Sequence, residues 1–445
     1  MLTGVTVVDA RTGRLQADRA VVVEGTRIAS VSEARGVRPR PHDRVVEGRG
    51  AFLVPGLWDM HVHSAAAAER EFPVYLALGI TGIRNMHSTV DTALELVTGL
   101  KRRLASGELL GPRLVANGPV LDGPVPVHGG SARAGSAEEA RRAVDSLVAG
   151  GADFIKAYIR LPRQAYFAAA REARRQRVPL VGHLPIGVGI HEAIEAGQRG
   201  FEHTNVLDWS CSTRGDSVLQ AFLADPAPSR ESYHRARGAV IATWDAAACA
   251  PAIAALRDAG AWLVPTLAVV WAPVAMDSVL ADSAARATIP GAKLDDWKAG
   301  AAELPPEARA AERAEVRNGL KLVRLLERAG VQMLAGTDVG NPFVIPGYGL
   351  HTELELLVRA GLSPRAALQT ATLNPARFLA GTDSLGTIAT GKLADLVLLD
   401  GNPLDDIRNT RRIRAVVANG RYLDRAALDS ILAAAGRAAK AASEP

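Results

Sequence analysis

The sequence of 445 residues predicts an α/β protein: a (β/α)8 (TIM) barrel with a small β domain assembled from both chain termini. Three observations predict it. Between about residues 55 and 385, short apolar segments alternate with amphipathic helical ones. The alternation yields eight strand candidates, which suits a barrel better than an open sheet. Strand-like segments bounded by glycine turns also occur at both ends of the chain, outside that region.

Taken in order, "GVTVVDA", "RAVVVEGTRIASV" and "RVVEGRGAFLV" read as N-terminal strands. The first barrel strand is "LVPGLWDMHVH", entered through the Pro55-Gly56 turn. The other seven are "GITGIRNMH", "RLVANGPV", "FIKAYI", "PLVGHL", "FEHTN", "WLVPTLAVV" and "QMLAGTD". Helical runs such as "AEEARRAVDSLVAGG", "RQAYFAAAREARRQR" and "EVRNGLKLVRLLERAG" separate several of them. Ala-rich insertions at about 208–260 and 270–312 flank the seventh strand, long enough to lay helices over one barrel mouth. Strands resume in "LADLVLLDG" and "IRAVVANGRYL", the latter turning at Asn419-Gly420, a strong hairpin signal. The chain thus divides into 1–54 plus 386–425 for the composite β domain, 55–385 for the barrel, and 426–445 for a C-terminal helix or tail.

With 48% hydrophobic residues the chain can bury a large core. No segment approaches the roughly 18 consecutive apolar residues of a membrane-spanning helix. The start, "MLTGVTVVDARTG", lacks the basic and long apolar regions of a secretory signal, which predicts a cytoplasmic protein unless a signal has been removed. The net charge is +5, yet the arginines interleave with acids in "REARRQR" and "AERAEVR", as on solvated helix faces. That pattern argues against a nucleic-acid partner and leaves a small molecule as the expected ligand. Cys211 and Cys249 are too few for a disulfide framework and too isolated for a zinc knuckle, so they read as buried thiols.

Polar residues recur where the strands should end. His61 and His63 close the first; Lys156 lies in "FIKAYI"; His183 closes "PLVGHL"; His203 sits in "FEHTN"; Asp338 closes "MLAGTD". Side chains two apart on a strand share a face, so His61 and His63 point the same way, as do Phe154, Lys156 and Tyr158. Singly, each has a plain structural use: a hydrogen-bonded histidine, a helix cap, a lysine that snorkels to solvent. The C-terminal strand ends of a barrel converge on one mouth, however, and all six residues lie there. A lysine among apolar neighbours, in a chain with seven lysines, is costly to bury unless paired or modified.

This ordered set, with "VPGLWDMHVH", "VGHLP", "FEHTN", "LAGTD", "HTELELLVRAGLSPRAALQTATLNPARFLA" and "GTIATGKLADLVLLDGNPL", resembles the amidohydrolase superfamily, in its imidazolonepropionase-like and prolidase-like branch. The resemblance covers nearly the whole chain. It implies that the terminal strands form a β-sandwich and that the protein is a homo-oligomer. It also implies two divalent metal ions, most readily Zn²⁺, with Mn²⁺ or Co²⁺ also suited to nitrogen and oxygen ligands. His61, His63 and Asp338 would hold one ion and His183 and His203 the other, bridged by Lys156 as its N6-carboxylate. A hydroxide bridging the metals would attack an amide carbonyl, with Asp338 moving the proton. The implied substrate is an N-acyl amino acid or dipeptide-like molecule; a cyclic amide, lactone or organophosphate ester fits the same centre. A non-catalytic, metal-stabilised binding protein is the reading from another class.

Asp59, two residues before His61, is placed either to orient a ligand histidine or to make a structural contact. His87, His128, Tyr158 and Arg160 lie on or just after strands and are candidates to bind substrate, though each suits a surface loop equally. His351 follows the glycine-rich loop after Asp338 and either borders the pocket or caps a helix. Many relatives carry Asp-x-Gly where this chain has Asn85 and His87, so that part of the pocket is particular to it.

Overall fold

The computed structural model describes residues 1–225 and 230–442. β1 (Leu2–Val8), β2 (Leu15–Glu24) and β3 (Arg27–Glu33) pair antiparallel in turn, while β4 (Val46–Glu47) and β5 (Phe52–Pro55) run parallel to β1. β6 (Leu57–Val62), β7 (Ile80–Asn85) and β8 (Arg113–Ala116) form a parallel three-stranded sheet. β9 (Leu121–Asp122), β10 (Ala132–Arg133), β11 (Ile155–Ala157), β12 (Leu180–Gly182), β13 (Gly200–Glu202), β14 (Trp262–Val264) and β15 (Gln332–Met333) form a seven-stranded one, ordered β10-β9-β11-β12-β13-β14-β15. Backbone hydrogen bonds link the two sheets at both ends: Met60 N–H donates to the Ala335 carbonyl and Asp153 N–H to the Ala116 carbonyl, each at 2.9 Å.

β16 (Leu396–Leu399), β17 (Ile413–Ala418) and β18 (Arg421–Asp424) are antiparallel, and β16 returns to pair with β5. Both termini therefore lie in one eight-stranded sheet. Asn419 and Gly420 turn the last hairpin in left-handed conformations (φ 49° and 78°). Gly56 is the crossing from this sheet to β6. A Cβ there would sit 2.0 Å from Thr81 Oγ1, so only glycine lets the chain cross so close to β7.

Each of the eight strand candidates of the central region contains one of β6, β7, β8 and β11 to β15. β9 and β10 were not anticipated, because two residues carry no period. The expected strand "WLVPTLAVV" stops at Val264, and Leu267–Val274 is helical. Pro265 offers no N–H, and Thr266 turns the chain with φ 47°. The first insertion contains helices Gly215–Leu223, Arg230–Ala242 and Ala250–Asp258. The second contains Met276–Ala281, Ser283–Ala287, Gly291–Ala302 and the start of Pro306–Ala329.

The reading of Cys211 and Cys249 as free thiols is corrected: they are buried but joined in a disulfide across 38 residues of the first insertion. The insertion closes on itself there, with Asp245 N–H donating to the Cys211 carbonyl at 2.8 Å and Ser212 bridging to Trp244. Sequence separation hid that return. The tail is helix Arg425–Ala441, capped by Asp424, which accepts from Ala427 N–H at 3.0 Å. Residues 443–445 of the expected tail, and the side chain of His234, lie outside the described residues. No helix among the described residues is long and apolar enough to cross a membrane.

Candidate metal centre

His61, His63, Lys156, His183, His203 and Asp338 all come from strand ends or the residues just beyond, where the strand backbones hold them in register. Five of them, all but His61, line one cavity of about 640 Å³. His61 is fully buried against it, its ring centroid 5.4 Å from that of His63 and 4.7 Å from that of His203. With His87, His128 and Tyr158 the rings form a closed circuit, neighbouring centroids lying 4.4–6.4 Å apart. Ligand atoms of His61, His203 and Asp338 lie within 4.8 Å of one another.

The hydrogen bonds fix which nitrogen of each ring is free. His61 Nδ1 lies 2.8 Å from Glu202 Oε2; a carboxylate only accepts, so Nδ1 carries the proton and Nε2 a lone pair. His63 Nδ1 donates to the His87 carbonyl at 3.2 Å, which again leaves Nε2 free. Thr266 gives its hydroxyl hydrogen to the Pro265 carbonyl (2.8 Å), so at 2.7 Å from His203 Nδ1 it accepts, and His203 Nε2 is free. In His183 it is Nδ1 that is buried without a hydrogen-bond partner.

Two of these free nitrogens face a carboxylate, and His203 approaches it through Nδ1 at 3.8 Å. Asp338 Oδ1 is 3.4 Å from His61 Nε2 and 3.1 Å from His63 Nε2, and His61 Nε2 is itself buried and unpartnered. Lone pair against carboxylate is repulsive unless a cation lies between them, so the donor set fits a divalent metal. Burial, helped by the Lys156 charge, holds His61 well below the usual imidazole range. Burial and the neighbouring His203 do the same for His183. For Asp338 burial pulls upward, but the electrostatic pull of its neighbours His61, His203 and His63 prevails and keeps it well below the usual carboxylate range. Burial brings Lys156, 1% exposed, down to about 8 against the opposing pull of Asp338 and Glu202.

Beneath the ligands lies a buried polar layer, most of which the sequence reading missed. Asp59 accepts from the His61 backbone N–H (3.2 Å), Thr337 N–H (3.1 Å) and the Thr337 hydroxyl (2.7 Å), the structural contact of the two uses the sequence offered. Glu202 joins His61 to Arg84, whose Nη2 donates to Oε1 at 2.8 Å and whose Nε donates to the Met60 carbonyl at 2.7 Å. The Arg84 guanidinium packs over the Phe154 and Phe378 rings. The signal was present in "FEHTN" and "GIRN": an acid and a base inside apolar strands.

His128 Nε2 and the Tyr158 hydroxyl are 2.9 Å apart on the cavity wall. His87 Nδ1 accepts from Val120 N–H at 3.3 Å, so its proton sits on Nε2, which is buried without a hydrogen-bond partner beside the cavity. The Gly129 carbonyl favours a proton on this ring but lies outside hydrogen-bond geometry; burial holds His87 down to about 3. Arg160 is exposed, donates to the Val125 carbonyl at 3.3 Å, and does not line the cavity. Nor does His351, which is buried inside a helix between the Thr410 hydroxyl (2.9 Å) and the Leu78 carbonyl (3.0 Å). Both insertions reach the cavity mouth. Arg237, from the first, is held between Asp208 (3.3 Å) and Glu315, while Lys293 and Glu312 come from the second.

The fold recurs in solved structures. A bottromycin amidohydrolase superposes with TM-score 0.76 at 25% identity, over 98% of this chain and 89% of that one. A putative prolidase from Bifidobacterium longum gives 0.69 at 24% identity, over 98% of both chains, and shows the fold alone. Among curated proteins, Adenine deaminase 2 of Jannaschia sp. (strain CCS1) is 44% identical over 71 residues, 16% of this chain but only 11% of that protein's length. The Amidohydrolase family model matches residues 52–423, from β5 through β18, and takes in every residue of the centre. This chain belongs to the amidohydrolase family.

Proposed function

We propose that the protein is a binuclear metal-dependent hydrolase that cleaves the amide bond of an N-acyl amino acid or dipeptide-like substrate. One observation carries the reading: His61 Nε2 and His183 Nδ1 are buried without hydrogen-bond partners where His63, His203, Lys156 and Asp338 gather around one cavity. The likeness to a bottromycin amidohydrolase supports the choice of an amide bond. In this reading His61, His63 and Asp338 hold one ion through Nε2, Nε2 and carboxylate. His203 Nε2 and His183 Nδ1 hold the other. Zn²⁺ suits the donors best, with Mn²⁺ or Co²⁺ as substitutes. The ions, when bound, supply Lewis acidity and lower the pKa of water towards neutrality.

Lys156, once its amine has added to CO2 with formation of the carbamate N–C bond and release of one proton, would offer a further oxygen ligand to the ions. Its depressed pKa supports this step, because only the neutral amine attacks. Asp338 accepts the proton of the attacking water and passes it to the leaving nitrogen. The His87 Nε2–H and the His128–Tyr158 pair supply hydrogen-bond donors for the substrate carbonyl or carboxylate. The insertions cover the mouth and exclude water.

The same reading closes the three- and seven-stranded sheets into one (β/α)8 barrel over 55–385, supported by the hydrogen bonds at both of their ends. It assigns 1–54 plus 386–425 to a β-sandwich domain, supported by the shared terminal sheet, and family likeness makes the protein a homo-oligomer. A second reading, deamination, has the local likeness to Adenine deaminase 2 in its favour.

Elemental analysis with an assay panel of N-acyl amino acids, dipeptides, lactones, phosphotriesters and adenine tests the proposal. It expects two metals per chain and turnover of an acyl amino acid or dipeptide. One metal with adenine turnover establishes the second reading instead, and activity confined to lactones or phosphotriesters ends the amidase assignment.

A further inference from the structure

Glu353 is a fully buried carboxyl group on helix Tyr348–Ala360, outside the centre, and burial pushes it up to about 8. Its Oε2 accepts from Ala268 N–H at 2.7 Å, at the first turn of helix Leu267–Val274, and its Oε1 has no hydrogen-bond partner. The residue that opens that helix is Thr266, a β-branched side chain held at φ 47°, ψ 47°. An L residue enters this left-handed region at a cost, and a β-branched one rarely. Such a conformation persists only where its surroundings impose it. The surroundings here are Pro265 on one side and the capped helix on the other.

Thr266 is also the residue that orients His203. Its hydroxyl, fixed as an acceptor by its own bond to the Pro265 carbonyl, takes the His203 Nδ1 proton at 2.7 Å. His203 is itself strained, at φ 67°, ψ 151°. Two strained residues thus face each other through one hydrogen bond, and the backbone two residues after one of them, at Ala268, is held by Glu353.

We infer that Glu353 is a positioning residue: by capping helix Leu267–Val274 it holds Thr266 left-handed, and Thr266 in turn fixes the tautomer and orientation of His203 for metal binding. The inference rests on the metal-centre reading above. Nothing in it needs Glu353 to touch metal or substrate. A Glu353 that only filled space would act independently of Thr266.

The test is the affinity of the metal-free protein for Co²⁺, measured against a competing chelator, together with the visible absorption of the bound ion. Four single variants are compared with the parent: Glu353→Ala, Glu353→Leu (which fills the volume without an acceptor), Glu353→Gln (which keeps one) and Thr266→Val. Supporting residues of metal ligands are typically worth about tenfold to hundredfold in affinity. Glu353→Ala and Glu353→Leu are expected to lose that much for one of the ions, with altered Co²⁺ bands, whereas Glu353→Gln stays within about threefold. The double variant Glu353→Leu/Thr266→Val should bind no more weakly than Thr266→Val alone, because both act through one hydrogen bond. Parental affinity and spectrum in folded Glu353→Leu, or additive losses in the double variant, overturn the inference. Failure of the parent itself to bind Co²⁺ overturns the metal-centre reading instead.

Discussion

The floor and the roof of the cavity are built differently. The floor consists of strand ends and the residues after them: the His61 and His203 rings are held by the buried partners Glu202 and Thr266, and the His61 backbone N–H by Asp59. Three residues there, His203, Thr266 and Asp338, carry positive φ, a strain the packed surroundings sustain. The roof is made of inserted helices, closed by the Cys211–Cys249 bridge and by ion pairs around Arg237. The contrast teaches that chemistry and selectivity are held by separate devices. Changes in the floor should empty or disable the centre, and changes in the roof should alter access while leaving it loaded.

The largest break of this comparison is Lys156→Ala. Removing the bridging group should lower kcat by about a thousandfold or more and reduce bound metal in elemental analysis. Full metal content with parental kcat would refute the bridging role. Next is Glu202→Gln, remote from the cavity. It loses the charge that holds both Arg84 and His61, leaving a buried guanidinium without its anion. Metal affinity should fall about tenfold to hundredfold. Stability in denaturant should drop by up to about 3–5 kcal/mol.

A pH test sharpens the floor further. With Lys156 brought down to about 8, the neutral amine fraction rises about tenfold per unit below that pH and levels above it. At a fixed concentration of dissolved CO2, reactivation of metal-free protein by CO2 and Zn²⁺ should therefore accelerate with pH up to about 8 and then flatten. A rate that keeps climbing towards pH 10 would mean an unshifted lysine. For the roof, Cys211→Ser/Cys249→Ser should cost about 2–4 kcal/mol of stability in the denaturant midpoint. KM should rise while metal content stays at the parental level. Metal loss in that variant would erase the distinction between floor and roof. Because disulfides persist in oxidising compartments, the bridge also weighs against the cytoplasmic expectation.

The floor was legible in the sequence because strand ends report themselves. A period of two and a His, Lys or Asp near the end of an apolar run were enough to name the six residues that the structure brings together at one cavity. The helix capped by Glu353 was not legible: the turn at Thr266 is created by a carboxylate about ninety residues away, so Leu267–Val274 read as more strand. The disulfide was missed for the same reason, since only the folded insertion brings Cys211 to Cys249. Which of the two alternatives holds for Arg160 and for His351 was not legible, because proximity to a strand end does not say which way a side chain turns. Their partners, the carbonyls of Val125 and Leu78 among them, are backbone groups that composition cannot reveal.

His87 is the smallest test and lies where floor and roof meet. The Val120 N–H fixes its tautomer, so the buried Nε2–H is a donor in search of an acceptor beside the cavity. Leaving such a group unpaired costs free energy, which a substrate oxygen would recover. His87→Ala should therefore lower kcat/KM about threefold to tenfold, with metal content unchanged. His87→Gln, which restores an N–H donor on a different reach, should recover part of the loss. The effect should appear only with substrates that carry an oxygen able to accept, and vanish with analogues in which that oxygen is replaced by methylene. Equal losses for both substrate types would make His87 a prop for His63, whose Nδ1 proton its carbonyl accepts, and would move it wholly into the floor.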